Sequence, residues 1–238
     1  MMMGLTESHL TKRGYMKVRI LRQQTSDSSP YWESFDYDGT REISVAGLLD
    51  HLNFNDDIIN TDGEKTTRVG WDCSCLQGVC GACAMVINET PALACETFLK
   101  DIKGDVIELR PLRKFPVIHD LMVDRSIISE NLKNADVYIG EYQPLSKKDD
   151  DLQYNAAKCL KCGLCLEVCP NYVNGNTFYG ALFANDCFLV ASRNTEKSRE
   201  IKKTYSEHFG KGCSKALSCM DVCPMKISTI ASMAKLNK

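Results

Sequence analysis

The chain of 238 residues is poor in several things, and each shortage excludes a class of function. No apolar run approaches the length of a membrane span. Met1 to Met16 contains no apolar stretch of the kind a secretory leader needs, so none is expected. Neither charge sign dominates: the net charge of −2 gives no electrostatic reason to expect a nucleic-acid partner. There is no GxGxxG or phosphate-cradling loop, and no Ser/His/Asp arrangement suited to nucleophilic catalysis. The four histidines, His9, His51, His119 and His208, are scattered without ligand spacing and read as surface or structural residues. The two tryptophans, Trp32 and Trp71, read as packing residues. The hydrophobic fraction, 44%, is nonetheless enough to build real cores, and the length suits two ordinary domains.

Cysteine is what the chain has in excess, with thirteen residues. Their tight spacing and Cys-Pro endings are those of metal ligands rather than of a disulfide scaffold, which implies reduced thiols and a reducing compartment such as the cytoplasm. Cys159-Leu-Lys-Cys162-Gly-Leu-Cys165-Leu-Glu-Val-Cys169-Pro170 is an intact C-x2-C-x2-C-x3-C-P run, in which the fourth Cys serves the other of two clusters. Zinc would ask instead for two separated CxxC or CxxH pairs. Cys213-Ser-Lys-Ala216-Leu-Ser-Cys219-Met-Asp-Val-Cys223-Pro224 repeats the run with Ala216 where the second Cys belongs. A methyl group cannot bind iron. Cys159, Cys162, Cys165 and the crossed-over Cys223 therefore make a four-thiolate set for a [4Fe–4S] cluster. Cys169, Cys213 and Cys219 make a three-thiolate set, for which [3Fe–4S] is the natural occupant. Upstream, Cys75-Leu-Gln-Gly78-Val-Cys80-Gly81-Ala-Cys83 is the C-x4-C-x2-C of a plant-type ferredoxin, with Cys95 as the distant fourth, and fits [2Fe–2S]. Gly78 and Gly81 are expected to supply positive φ angles there. Cys73 competes with Cys75 by position, but the x4 spacing favours Cys75. Cys187, in an apolar stretch, reads as core. A Rieske centre would need two His in place of two Cys.

The remaining pattern suggests strands at 18–23, 31–37, 84–87 and 106–109, with a helix at 44–52 capped by Ser44. Strand, strand, helix, cysteine loop, strand, strand is the order of a β-grasp ferredoxin. After about Pro111 the pattern turns helical. Helices are expected at 126–135, 180–193 and 227–236, with a polar connection at 140–151 that includes the charge run Lys147 to Asp151, and a solvated mixed-charge helical face at 194–203. The expected fold is α+β: a β-grasp plant-type ferredoxin domain at 1–115, then an all-α bacterial-ferredoxin-like domain at 116–238, the boundary lying between Pro111 and Arg125. No catalytic constellation accompanies the thiols, so the chain reads as an electron relay whose partners carry out the substrate chemistry.

The Cys75–Met85 segment with Leu93-Ala-Cys95, the linker Leu112-Arg-Lys-Phe-Pro-Val-Ile-His-Asp-Leu-Met-Val-Asp124 and the paired runs with one ligand missing together resemble the iron–sulfur subunit of succinate dehydrogenase and fumarate reductase, over nearly the whole chain. The resemblance implies an N-terminal domain docked on a FAD-containing flavoprotein that holds the dicarboxylate site, and a C-terminal domain docked on a membrane anchor of the cytochrome b type, often with haem b. It implies electron passage between FAD and quinone through [2Fe–2S], [4Fe–4S] and [3Fe–4S], on the eleven Cys named above. The complex would sit at the cytoplasmic face of the cell membrane, with this chain peripheral. Ubiquinone-using members usually carry a Trp pair where Val173 and Asn174 stand, and often His where Ser214 stands; the departure points to menaquinone. A subunit serving a soluble or different flavoprotein is the nearest alternative, although glycolate-oxidase-like subunits generally lack the plant-type set. A zinc-stabilised interaction protein is the alternative from another class.

Overall fold

The computed structural model describes residues 14–138, 150–193 and 196–238. Alternation of apolar and polar residues produces β1 (Met16–Arg22), with Met16, Val18 and Ile20 buried on one face. It pairs antiparallel with β2 (Tyr31–Tyr37) and parallel with β7 (Val106–Arg110). Helix α1 (Val45–Asn53) begins where the Ser44 hydroxyl accepts the Gly47 N–H at 3.2 Å, and it buries Val45, Leu48 and Leu49. Two short strands, β3 (Ile58–Ile59) and β4 (Lys65–Thr66), form a separate hairpin. The cysteine-rich loop then leads into β5 (Ala84–Ile87), which pairs with β7 and with β6 (Thr90–Leu93), so the sheet runs β2-β1-β7-β5-β6.

The linker forms a small hairpin of β8 (Val117–His119) and β9 (Met122–Val123). After it, all regular structure among the described residues is helical: α2 (Ser126–Asn134), α3 (Asp150–Ala157), α4 (Leu164–Glu167), α5 (Gly180–Ala191), α6 (Ser198–Tyr205) with a π-helical turn at Ser206–Gly210, α7 (Ser218–Asp221) and α8 (Thr229–Leu236). The architecture is mixed α+β. Helix α5 is buried on nearly all sides, Cys187 included, as its largely apolar sequence predicts, with Asn185 and Asp186 buried among the apolar residues. One apolar core runs through both halves, with Leu112 and Phe115 of the linker packed among residues of each.

The strands at 31–37 and 84–87 lie where the sequence places them, and the other expected elements shift by a few residues at their ends. His9, residues 140–149 of the expected polar connection and residues 194–195 lie outside the described residues. The polar connection differs at its end, since α3 begins at Asp150. Trp32 is not a core residue. It is 38% exposed on edge strand β2, with the guanidinium carbons of Arg19 and Arg110 at 4.8 and 5.0 Å from its ring centroid.

A candidate three-site iron–sulfur centre

The loop between β4 and β5, which carries Cys75, Cys80 and Cys83, and the 3-10 turn after β6, which carries Cys95, bring the plant-type cysteines together as two pairs. Cys83 and Cys95 lie 3.4 Å apart, sulfur to sulfur, and Cys75 hydrogen-bonds the Cys80 thiol. Backbone N–H groups turn toward the sulfurs. Gln77 and Val79 donate to Cys75 at 3.3 and 3.4 Å, Gly78 to Cys95 at 3.2 Å and Ala82 to Cys80 at 3.5 Å. Gly78 and Gly81 have φ of +70° and +79°, the left-handed conformation the sequence predicts for them. The N–H donors of Gln77 and Val79, with the Cys80 thiol, pull the Cys75 pKa down to about 7. Burial pushes Cys95 up to about 12, assisted by the adjacent Cys83. Cys73 is exposed, and the sulfur pairs form without it.

In the helical half, the two Cys-Pro runs repeat one backbone path. Lys161 and Lys215 have φ of +55° and +60°, and Gly163 and Leu217 follow at +87° and +62°. Four-residue helices α4 and α7 come next in equivalent positions. The path is thus held even where the second run lacks its cysteine, and even where Leu217 must take a conformation that suits glycine. The runs then exchange their last cysteines. Cys159, Cys162, Cys165 and Cys223 line one small cavity. Cys169, Cys213 and Cys219 line another, with Ala216 in its wall. The two differ in donors, four thiols against three. Burial raises Cys162 to about 11 and drives Cys165 well above the ordinary thiol range. Among the described residues, no three Cys, His, Asp or Glu side chains gather closely enough for a single metal ion. Thiols ringing a cavity suit a polynuclear cluster better than the tight tetrahedron of a zinc site. The donor sets, all sulfur with N–H groups aimed at them, fit iron–sulfur clusters.

Comparison with known proteins agrees. Residues 17–130 match the family pattern of a 2Fe-2S iron-sulfur cluster binding domain, and residues 155–227 that of a 4Fe-4S dicluster domain. The succinate dehydrogenase iron-sulfur subunit of Bacillus subtilis is 35% identical over 96% of this chain and 94% of its own. The chain belongs to the succinate dehydrogenase and fumarate reductase iron–sulfur subunit family. The fumarate reductase iron-sulfur subunit of Wolinella succinogenes is 25% identical over 94% of this chain and 96% of its own. In fold, the chain is similar to one in the Mycobacterium smegmatis Sdh1 complex in the apo form, with a TM-score of 0.72, 22% identity, and coverage of 94% of this chain and 96% of that one. As a member of this family, the chain is an electron-transfer subunit of an oxidoreductase, with a 2Fe–2S domain followed by a 4Fe–4S dicluster domain. Among the described residues no helix is long and apolar enough to cross a membrane.

Several residues around this family's thiols escape a reading of spacing. Arg125, at the start of α2, is largely buried and donates to the Ala82 and Ala84 carbonyls at 3.1 and 3.3 Å, with Asp72 at 3.9 Å. Lys161, between two cysteines, pairs with Asp186 of α5. Glu167 of α4 accepts from Arg113 Nε at 2.8 Å and the Lys114 N–H at 3.1 Å, and the Lys114 ammonium donates to the Cys169 carbonyl. These contacts fasten the linker to the first cysteine run. Residues so far apart in sequence meet only through tertiary packing, and no local motif marks them.

Proposed function

We propose that the chain relays single electrons between a FAD-bearing flavoprotein, where succinate and fumarate are interconverted, and a membrane quinone. In this reading Cys75, Cys80, Cys83 and Cys95 hold [2Fe–2S]; Cys159, Cys162, Cys165 and Cys223 hold [4Fe–4S]; Cys169, Cys213 and Cys219 hold [3Fe–4S]. The clusters would supply one-electron redox couples at separate potentials, set by cluster type, by hydrogen bonds to sulfur and by burial. The observation that carries the reading is the pair of cysteine-lined cavities in which one wall offers Cys162 and the other Ala216. The remaining residues hold and shield: Gln77, Gly78, Val79, Ala82, Lys215 and Ile227 offer N–H groups to sulfur, and buried apolar residues keep water from it.

The five-stranded sheet with α1 supports a β-grasp domain at 1–115, and the helices after β9 support an all-α bacterial-ferredoxin-like domain at 116–238. The chain would be peripheral at the cytoplasmic face of the cell membrane, held by an anchor subunit of the cytochrome b type. Val173, Asn174 and Ser214 support menaquinone over ubiquinone, and menaquinone is the quinone expected in the purified complex; ubiquinone there would refute that choice. The test of the relay itself is low-temperature EPR on the anaerobically purified complex. A near-isotropic signal from oxidised [3Fe–4S] should give way, on dithionite reduction, to a rhombic [2Fe–2S] signal. No oxidised signal, together with iron sufficient for two [4Fe–4S] clusters beside the [2Fe–2S], would overturn the three-thiolate assignment.

A further inference from the structure

The plant-type loop and the first Cys-Pro run touch at one residue with no side chain. A Cβ built on Gly81 would stand 2.6 Å from the Cys162 Cβ, 3.1 Å from the Cys162 Cα and 3.1 Å from the Leu160 Cβ. None of these atoms is the far end of a flexible side chain, so one loop or the other would have to retreat. Gly81 lies between two proposed ligands of one set, Cys80 and Cys83, and it faces a proposed ligand of the next. Arg125 holds the plant-type side of the same junction. Its guanidinium grips the Ala82 and Ala84 carbonyls while its charge also acts on Cys162, Cys83 and Cys80. Its Nε is buried without a hydrogen-bond partner, so this cation is held in place at a cost in desolvation.

We infer that Gly81 is a positioning residue for electron transfer between the two thiolate sets, its missing side chain fixing their closest approach, with Arg125 holding the plant-type loop at that separation. This inference rests on the proposed cluster assignment. The step it serves is the passage of one electron, which oxidises iron(II) to iron(III) on the donor side and reduces iron(III) to iron(II) on the acceptor side. No bond forms or breaks and no proton moves. Electron tunnelling falls exponentially with distance and magnetic dipolar coupling with its cube, so a small retreat is measurable by either.

The test is made on the intact complex carrying Gly81→Ala, beside wild type and Gly63→Ala. Gly63 has the same φ of +79°, and a Cβ added there would meet nothing within 4 Å, so it reproduces the backbone strain without the collision. Wild-type complex lacking the [2Fe–2S] or [4Fe–4S] signal would refute the cluster assignment itself. With both signals present, Gly81→Ala should keep each cluster's signal and midpoint potential. It should lose part of the relaxation enhancement that reduced [4Fe–4S] imposes on the [2Fe–2S] signal, and slow electron arrival at the second cluster after rapid mixing with succinate. Gly63→Ala should match wild type in all four readouts. Wild-type relaxation and rate in Gly81→Ala, or an equal loss in Gly63→Ala, would overturn the inference. Should Gly81→Ala fail to assemble, Arg125→Gln decides: it should show the same loss of relaxation enhancement, and wild-type enhancement there would overturn the inference.

Discussion

A buried thiol keeps its proton unless something nearby stabilises the thiolate, and the cysteines here divide on that basis. Burial raises Cys162 to about 11 and Cys165 well above the ordinary range, so in both the proton must be displaced by metal. Cys75 differs, because the Gln77 N–H, the Cys80 thiol and the Val79 N–H stabilise its anion and bring its pKa to about 7. The thiolate is the reactive form and accumulates above the pKa. Alkylation of the metal-free chain should therefore strike Cys75 first, half-maximally near pH 7. Mass mapping of iodoacetamide adducts across a pH series checks this. Ala216→Cys should restore a fourth thiolate to its cavity. EPR should then show the oxidised [3Fe–4S] signal replaced by a [4Fe–4S] signal on reduction, with one more iron per chain. The candidate ligands were legible because iron–sulfur spacing is a local property of sequence. The meeting of Gly81 with Cys162, and the burial of Arg125, were not, since an arginine opening a helix reads as solvated until the fold covers it.

At the scale of elements, α1 was legible from its Ser44 cap and apolar face, and β1 from its alternation. Strand β6 was missed because it is short and contains Pro91, which is tolerated on the edge of the sheet. The turn before it uses Asn88 and Glu89, both at positive φ, without the glycine that usually marks such a hairpin. The linker hairpin β8–β9 is held by charge. Arg22 and Asp120 are fully buried and 2.9 Å apart, and Glu33 lies 2.6 Å from the same guanidinium. Asp120 also accepts the N–H groups of Gln23 and Gly70, at 3.0 and 2.9 Å. Removing the cation from such a group leaves two carboxylates facing each other out of water, at a cost of about 3–5 kcal/mol. Arg22→Met should lower stability by that order in denaturant titrations of the metal-loaded chain. A change below about 1 kcal/mol, the scale of a surface pair, would show that water reaches the group.

For the whole molecule, the halves depend on metal to different degrees. The N-terminal half has a five-stranded sheet with a buried face of its own. The C-terminal half relies on four-residue helices α4 and α7, far below the length at which a helix holds itself together. Both sit against the cysteine-lined cavities. Removal of metal should therefore leave the amides of β1 and β7 protected from hydrogen exchange while those of Leu164–Glu167 and Ser218–Asp221 exchange much faster. Equal protection in both segments before and after metal removal would refute that dependence. The mixed α+β character was legible from the change in periodicity after Pro111. The single core that joins the halves through Leu112 and Phe115 was not, because two apolar residues in a linker carry no period.

The exchange of last cysteines between the two runs also has a consequence for biosynthesis. Cys223 lines the cavity begun by Cys159, and Cys169 lines the one completed by Cys213 and Cys219. A ribosome that has delivered the first run has therefore delivered neither cavity, and the plant-type loop is the first thiolate set to be complete on the nascent chain. Loading of the two later sites must wait until the second run has been released and has folded back. A nascent chain stalled between the two runs would expose cysteines with no finished site to receive iron, which makes that interval the one in which the chain is most open to oxidation or to the wrong metal.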